Sequence, residues 1–262
     1  MSSPILSKIR VYPIKSVGYA EVDRVSVGKF GNLEKDRSLA IADSNGKILN
    51  AKKCPELIRV RADYNLEDNT VALGSDSEET SVFSFLEERA ELGQWFSDYL
   101  GRAVEIKGDD NLGFPDDTEA SGPTLISTET INIVASWFDD IDAEEVRRRL
   151  RTNLEIDGVP AFWEDRLYGP GSDETKPFKL GDLELEGTNA CQRCPVVTRN
   201  SSSGERIPEG FQKEFGERRK ESLPDWAHAS RFNHFYRVAL NTKALRVPEG
   251  CWLALGDILE VL

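Results

Sequence analysis

No apolar run in this chain approaches the about eighteen uninterrupted residues of a membrane-spanning helix, so no membrane span is expected. The N-terminal stretch "MSSPILSKIRVYPIKS" lacks the apolar core of a secretory signal. Only four cysteines occur in 262 residues, which argues against a disulfide framework and for a reducing compartment, the cytoplasm. Positive charge is scarce as well: a formal net charge of −13 leaves no general basic face for nucleic acid or an anionic membrane. An anionic small ligand is not excluded, because charges beyond about 8 Å are largely screened and a local group of cations can prevail. The one basic run, Arg218-Arg219-Lys220, sits among acids and reads as a solvated helix face. The only histidines, His228 and His234, read as packing or loop residues.

What the chain has in quantity is short strands and turns. Ile9 and Val11 alternate with Lys8, Arg10 and Tyr12, and Ile58, Val60, Ala62 and Tyr64 alternate with Arg59, Arg61 and Asp63, the period of half-buried strands. Asn45-Gly46 marks a tight turn between apolar runs. Leu92, Trp95, Phe96, Tyr99 and Leu100 fall on one helical stripe, which Gly101 stops. The acidic, Gly- and Pro-containing stretch 108–123 has little to bury and reads as a boundary loop. Beyond it Ser127 can cap a helix, Asp142 and Glu145 have capping-box spacing, and later segments, "PVVT" among them, return to extended chain. The sum is a β-rich mixed α+β fold, with a closed or partly closed barrel expected because closure removes exposed strand edges.

The segment "NACQRCPVVT" carries Cys191 and Cys194 as Cys-x-x-Cys. The other cysteines, Cys54 and Cys251, are far-separated singletons, which is poor material for a four-cysteine zinc site. The residues after Cys194 do not suit a thioredoxin-like dithiol, whose first cysteine opens a helix in a βαβ unit. Two ordinary buried cysteines remain the plain alternative. Arg193 raises the segment above it, since a neighbouring guanidinium favours the thiolate that binds metals. Lys15 and Ser16 follow a strand, Arg37 precedes one, and Arg151 and Asn153 open another. Lysine, arginine, serine and asparagine at strand ends are the donor set an oxyanion needs, and beside a thiolate they suggest an anionic, phosphate-bearing metal cofactor.

"YPIKS", "KDR", "RTNLEIDGVPAFWEDRL", "LGDLELEGTNACQRCPVVT" and "LGDILEVL" occur in this order along nearly the whole chain. Together they resemble the MOSC family, in the subgroup with an N-terminal β-barrel extension that includes the mitochondrial amidoxime-reducing component and its bacterial relatives. The resemblance implies an N-terminal MOSC β-barrel domain over 1–110, packed on a MOSC β-barrel domain over 111–262 with a few helices. It implies molybdenum cofactor, a pterin whose dithiolene holds molybdenum and whose tail is a phosphate. Cys194 would be the protein sulfur ligand, Cys191 its variable neighbour, and Lys15, Ser16, Arg37, Ser127, Arg151 and Asn153 the cradle for pterin and phosphate. The implied activity is reduction of small N-hydroxylated compounds (hydroxylamines, amidoximes and N-oxides); a non-catalytic carrier of the cofactor or of sulfur is the rival reading. Four cysteines leave no set for an iron–sulfur cluster, so electrons are expected from a separate ferredoxin, cytochrome or flavin reductase type donor. Thr198 and Arg199 follow the ligand closely enough to touch substrate, while Glu164 and Asp165 either orient cradle cations or sit in a turn. Pro195 and the segment from Ser201 to Phe235 depart from the family pattern, so substrate specificity does not carry over.

Overall fold

The computed structural model describes residues 3–75, 79–207 and 209–262; Met1 and Ser2 of the N-terminal stretch and Pro208, downstream of the cysteine pair, lie outside them. The N-terminal part runs β1 (Ile5–Val11), β2 (Ala20–Val22), β3 (Arg24–Ser26), β4 (Leu39–Asp43), β5 (Arg61–Asn65), β6 (Thr70–Gly74), β7 (Ser81–Ser84), α1 (Arg89–Leu100) and β8 (Val104–Gly108). After the acidic loop come β9 (Leu125–Ser127), α2 (Thr128–Ser136), α3 (Ala143–Leu150), β10 (Leu154–Asp157), β11 (Lys176–Leu180) and β12 (Leu183–Gln192). The chain then continues through α4 (Phe211–Glu221), β13 (Arg237–Arg246), β14 (Trp252–Ala254) and β15 (Leu259–Val261). This is the strand-rich mixed α+β fold that the turn spacing implies.

Eight strands form one sheet in the order β15-β11-β12-β13-β9-β10-β1-β2. All its pairs are antiparallel except β9 with β10. The sheet curls until Ile5 bridges Ile258, with the Leu6 N–H on the Asp257 carbonyl at 2.8 Å and the Leu259 N–H on the Pro4 carbonyl at 2.9 Å. This is a single bridge and not a ladder, so the expected barrel is an incompletely closed sheet among the described residues. Smaller sheets pair β4 with β8, β3 with β14, and β5 with β6 with β7.

The alternation along β1 is real, but both of its faces are covered. Ile9 and Val11 enter a core with Leu125, Leu154 and Leu240. On the other face Arg10 and Tyr12 are buried too, because α3 lies there: Arg10 donates to Glu144 at 2.9 Å and to Glu21 of β2 at 3.0 Å. A second core gathers Ile14, Leu39, Ile41, Val71, Phe85, Leu92 and Phe96. There α1 presents its stripe as expected, and Gly101 ends it at φ 63°, a conformation open to glycine at little cost.

Two stretches expected to be extended are instead single 3-10 turns, Pro55–Arg59 and Pro195–Thr198. Each begins with a proline at a first helical position, where its fixed φ is pre-set for the turn and its missing N–H costs nothing. In the first, Leu57 and Val60 are buried while Ile58 is only partly covered, a period of three and not two.

A third core fills the space between α2, α3 and α4 with Ile131, Val134, Val146, Leu150, Phe211 and Phe215. Ser127 caps α2 through the Thr130 N–H at 3.2 Å, and Asp142 caps α3 through the Glu145 N–H at 2.7 Å. The capping box is half made, since the Glu145 carboxylate turns to Arg149 and Ser201. The reading of Arg218-Arg219-Lys220 as a solvated face fails for Arg219. It is fully buried, ion-paired with Asp165, and stacked 4.0 Å from the Phe162 ring centroid. No helix among the described residues is long and apolar enough to cross a membrane.

Of the two readings of Glu164 and Asp165, the turn holds: both lie on a 3-10 turn (Trp163–Leu167), buried in this core and away from the cradle cations. Asp165 holds Arg219 and accepts from the Tyr168 hydroxyl at 2.9 Å. Replacing Asp165 by Asn strands the Arg219 charge, and urea unfolding at neutral pH is expected to show a loss of about 3–5 kcal/mol. Burial, then the neighbouring Asp165, pushes the Glu164 carboxyl up to about 7. Its folded-state value lies above the unfolded one, so the native state holds a proton that the unfolded state has released, and stability declines as pH rises towards and through 7. Glu164→Gln is expected to match the parent near pH 4.5 and to exceed it at pH 8 by on the order of 3 kcal/mol in the same measurement.

Candidate functional site

A cavity of about 640 Å³ opens where the turns after β1 and before β4, the acidic loop, the end of α3 and the end of β12 meet. That is within the size range of cofactor sites. Nine lysines and arginines line it against three aspartates, in a chain whose net charge is −13. The positive charge missing from the surface as a whole is concentrated here.

Lys15, Ser16, Arg37, Arg151, Asn153 and Cys194 all line this cavity. Lys15 donates to the Phe114 carbonyl at 2.8 Å and to Asp116 at 2.6 Å. Ser16 accepts the Ala51 N–H at 3.1 Å and keeps its own hydroxyl proton to give. Arg37 is ion-paired with Asp36; burial would lower its pKa, but Asp36 and then Asp116 raise it above the usual arginine value. Arg151 has a buried Nη2 with no hydrogen-bond partner, and its guanidinium is held below its usual pKa by burial and by the like charge of Arg37. Asn153 is fully engaged: Oδ1 accepts from the Thr124 N–H and hydroxyl, and Nδ2 donates to the Arg10 carbonyl and to Asp36, all at 3.1–3.2 Å. It therefore braces the cavity wall and offers no free donor.

Ser127 is not brought to the cavity. It is fully buried, with its oxygen on the Thr130 N–H and 2.7 Å from the Thr130 hydroxyl, which is the work of a helix cap. Thr198 also stays outside, its hydroxyl donating to the Pro195 carbonyl at 2.7 Å, whereas Arg199 does line the cavity. Neither His228 nor His234 lines it.

Two residues that carry the site were read from the sequence only as pattern. The Tyr12 ring centroid lies 4.2 Å from the Arg151 guanidinium and 5.1 Å from that of Arg37, so one aromatic ring meets both cations. Its hydroxyl donates to the Thr152 carbonyl at 3.0 Å, and burial pushes its pKa up to about 12 despite the arginines. Asp36 accepts the Tyr12 N–H at 2.9 Å, Asn153 Nδ2 at 3.1 Å and an Arg37 nitrogen, tying three strand ends together. Both stand inside the quoted motifs, beside Lys15 and Arg37, which is the signal that could have found them.

The two cysteines of Cys-x-x-Cys differ sharply. Cys191 is buried, its thiol donates to Asn241 Oδ1 at 2.7 Å, and burial pushes its pKa up to about 11 against the pull of Arg193. Cys194 is exposed at the cavity, just ahead of the 3-10 turn that Pro195 begins. Cys54 and Cys251 are buried, so Cys194 is the one accessible thiol of the four. Among the described residues no three His, Cys, Asp or Glu side chains group as a metal site.

Residues 3–103 match the family described as MOSC N-terminal beta barrel domain. Curated relatives include the molybdenum cofactor sulfurases of Caenorhabditis elegans, 25% identical over 229 residues, Drosophila melanogaster, 25% over 235, and Homo sapiens, 24% over 257. These alignments take in 79–80% of this chain but only 28–30% of each relative, so the chain spans less than a third of their length. Among solved structures, the YUAD protein from Bacillus subtilis aligns at 11% identity and a TM-score of 0.39, covering 100% of this chain and 98% of that one.

The cavity backbone is strained where the cations emerge. Ser16, Arg37 and Arg151 adopt left-handed φ angles of 72°, 51° and 52°, three of the seven non-glycine residues that do so among those described. Such positions cost on the order of 1–3 kcal/mol each and persist only where the surroundings over-determine them. At position 151 the usual order of small residues should therefore reverse: Arg151→Ala is expected to be less stable than Arg151→Gly by about 1 kcal/mol in urea unfolding.

Proposed function

We propose that this protein binds molybdenum cofactor in the cationic cavity, takes Cys194 as protein sulfur ligand, and reduces N-hydroxylated compounds. The observation that carries this reading is the one accessible thiol standing at a cavity rich in arginine and lysine, in a chain similar to molybdenum cofactor sulfurases. The residues present fit the group. Its phosphate needs convergent cationic donors, and Arg151 has a buried guanidinium nitrogen without a partner, whose uncompensated charge a nearby anion would relieve. Lys15, Ser16 and Arg37 would complete the contacts to phosphate and pterin, while Tyr12, Asp36 and Asn153 hold those side chains in place. No group of protein side chains forms a metal site alone among the described residues, so a metal here would arrive with ligands of its own.

When bound, the cofactor supplies a metal able to accept oxygen from nitrogen and to exchange electron pairs. The protein's part is ligation by the Cys194 sulfur, orientation by the cradle, and access through the open side of the cavity. Cys191, buried and held protonated on Asn241, stays out of the chemistry. Electrons would come from a separate donor in the cytoplasm.

A second reading, a carrier that holds the cofactor or its sulfur for transfer without reducing a substrate, is favoured by the name shared by the curated relatives. An accessible cysteine in a cationic cavity serves either role. The test is molybdenum analysis of protein made in a cofactor-producing host, beside assay with a chemical reductant and a hydroxylamine or amidoxime. Parent protein is expected to carry molybdenum and turn over the substrate, and Cys194→Ala to retain at least about tenfold less metal. Equal molybdenum in both removes Cys194 as ligand; a loaded protein that never turns over establishes the carrier.

A further inference from the structure

The acidic loop is more than a connection. Residues 112–124 contribute many of the groups that line the cavity, among them Pro115, Asp116, Asp117 and Ser121. The loop is fixed to the rim at its two ends. The Phe114 N–H donates to the Arg37 carbonyl at 2.8 Å, and the Gly122 N–H to the Thr242 carbonyl at 3.0 Å. Gly113, at φ 70°, passes so near that an added Cβ would stand 2.8 Å from the Arg37 carbonyl oxygen and 2.9 Å from that of Asp36. Between these anchors the loop has one charged tie to the cavity, Asp116 on Lys15 at 2.6 Å.

The two partners of that tie differ in exposure. The Lys15 side chain is 11% exposed and fixed in the wall, while the Asp116 side chain is 82% exposed. A nearly buried cation therefore has as its counter-ion a carboxylate that most of the solvent can reach. The Arg37 charge is met by Asp36, itself only 12% exposed and held by Tyr12 and Asn153, so that pairing is built into the wall. Of the two carboxylates on the cradle, Asp116 alone can leave without breaking core structure.

We infer that Asp116 is a built-in competitor, occupying the Lys15 end of the cavity in place of the ligand's anionic group and selecting for ligands whose terminal group carries two negative charges. A carboxylate monoanion arriving at Lys15 gains no more than Asp116 already supplies, and it must also displace a group tethered at high effective concentration. A phosphate monoester, with up to two charges and three acceptor oxygens, can engage Lys15, Arg37 and the unpaired Arg151 together. Asp116 would then swing outward with residues 115–121. This deepens the cofactor reading by naming what its phosphate must displace, but it requires only that the cavity bind phosphate.

The test uses the protein as purified without cofactor, titrated by calorimetry with inorganic phosphate and, separately, with acetate. Asp116→Asn keeps an acceptor for Lys15 but loses the charge, and phosphate affinity is expected to rise about tenfold at low ionic strength. Acetate, barely bound by the parent, should become measurable and narrow the preference for phosphate. Asp117→Asn, the adjacent acid in the same cavity, is the control and should change phosphate affinity by about twofold or less. Unchanged or weaker phosphate binding in Asp116→Asn overturns the inference. So does an equal gain in Asp117→Asn, which would assign the effect to the general field, and so does a failure of both parent and variant to bind phosphate. A protein that follows the expected pattern but never carries molybdenum would refute the cofactor reading and leave this one standing.

Discussion

Two guanidinium groups resting on one tyrosine ring are the constraint on which the site depends. Arg37 and Arg151 repel each other, and burial makes that repulsion more costly. The Tyr12 ring, the ion pair of Asp36 with Arg37, and the bracing of Asp36 by Asn153 and the Tyr12 N–H are what keep both cations in place. Even so the compensation is incomplete. Arg151 keeps an unpartnered buried nitrogen, and three of the lining residues take left-handed backbone angles. Unsatisfied charge and strained backbone in one place are the features of a site organised for something it does not itself contain.

The thiol follows the same logic of placement. Cys191 and Cys194 stand three positions apart, yet one is sealed into the strand and the other left open, because β12 ends at Gln192 and Pro195 then turns the chain. The sealed thiol donates to Asn241 and keeps its proton; the open one shares a cavity with Arg193 and Arg199. An acidic surface surrounding a cationic interior also has a kinetic meaning. A multiply charged anion gains only once it is inside, where the local field reverses sign.

Much of this was legible because strand ends and turn residues have local signatures. Lys15 after β1, Arg37 before β4 and Arg151 before β10 were found as cations at such ends, and the structure gathers them in one cavity. The caps at Ser127 and Asp142 were legible for the same reason, although a serine engaged as a cap cannot also serve a distant cradle. What escaped depends on partners remote in sequence. Tyr12 looked like an outward strand position until α3 covered that face. Arg219 was hidden in a basic run, since only the fold brings Asp165 and Phe162 around it. The prolines at 55 and 195 misled the reading of extended chain, because each starts a 3-10 turn. The acidic loop does bury little, but its place along the cavity has no local signature in the sequence.

The central claim is that the cationic cavity presents its ligand to the Cys194 sulfur. X-ray absorption at the molybdenum edge of cofactor-loaded protein tests it most directly, since it counts the sulfur atoms around the metal. The account predicts one sulfur beyond those the dithiolene supplies, at bonding distance. A spectrum with dithiolene sulfur alone, the remaining positions filled by oxygen, would contradict it.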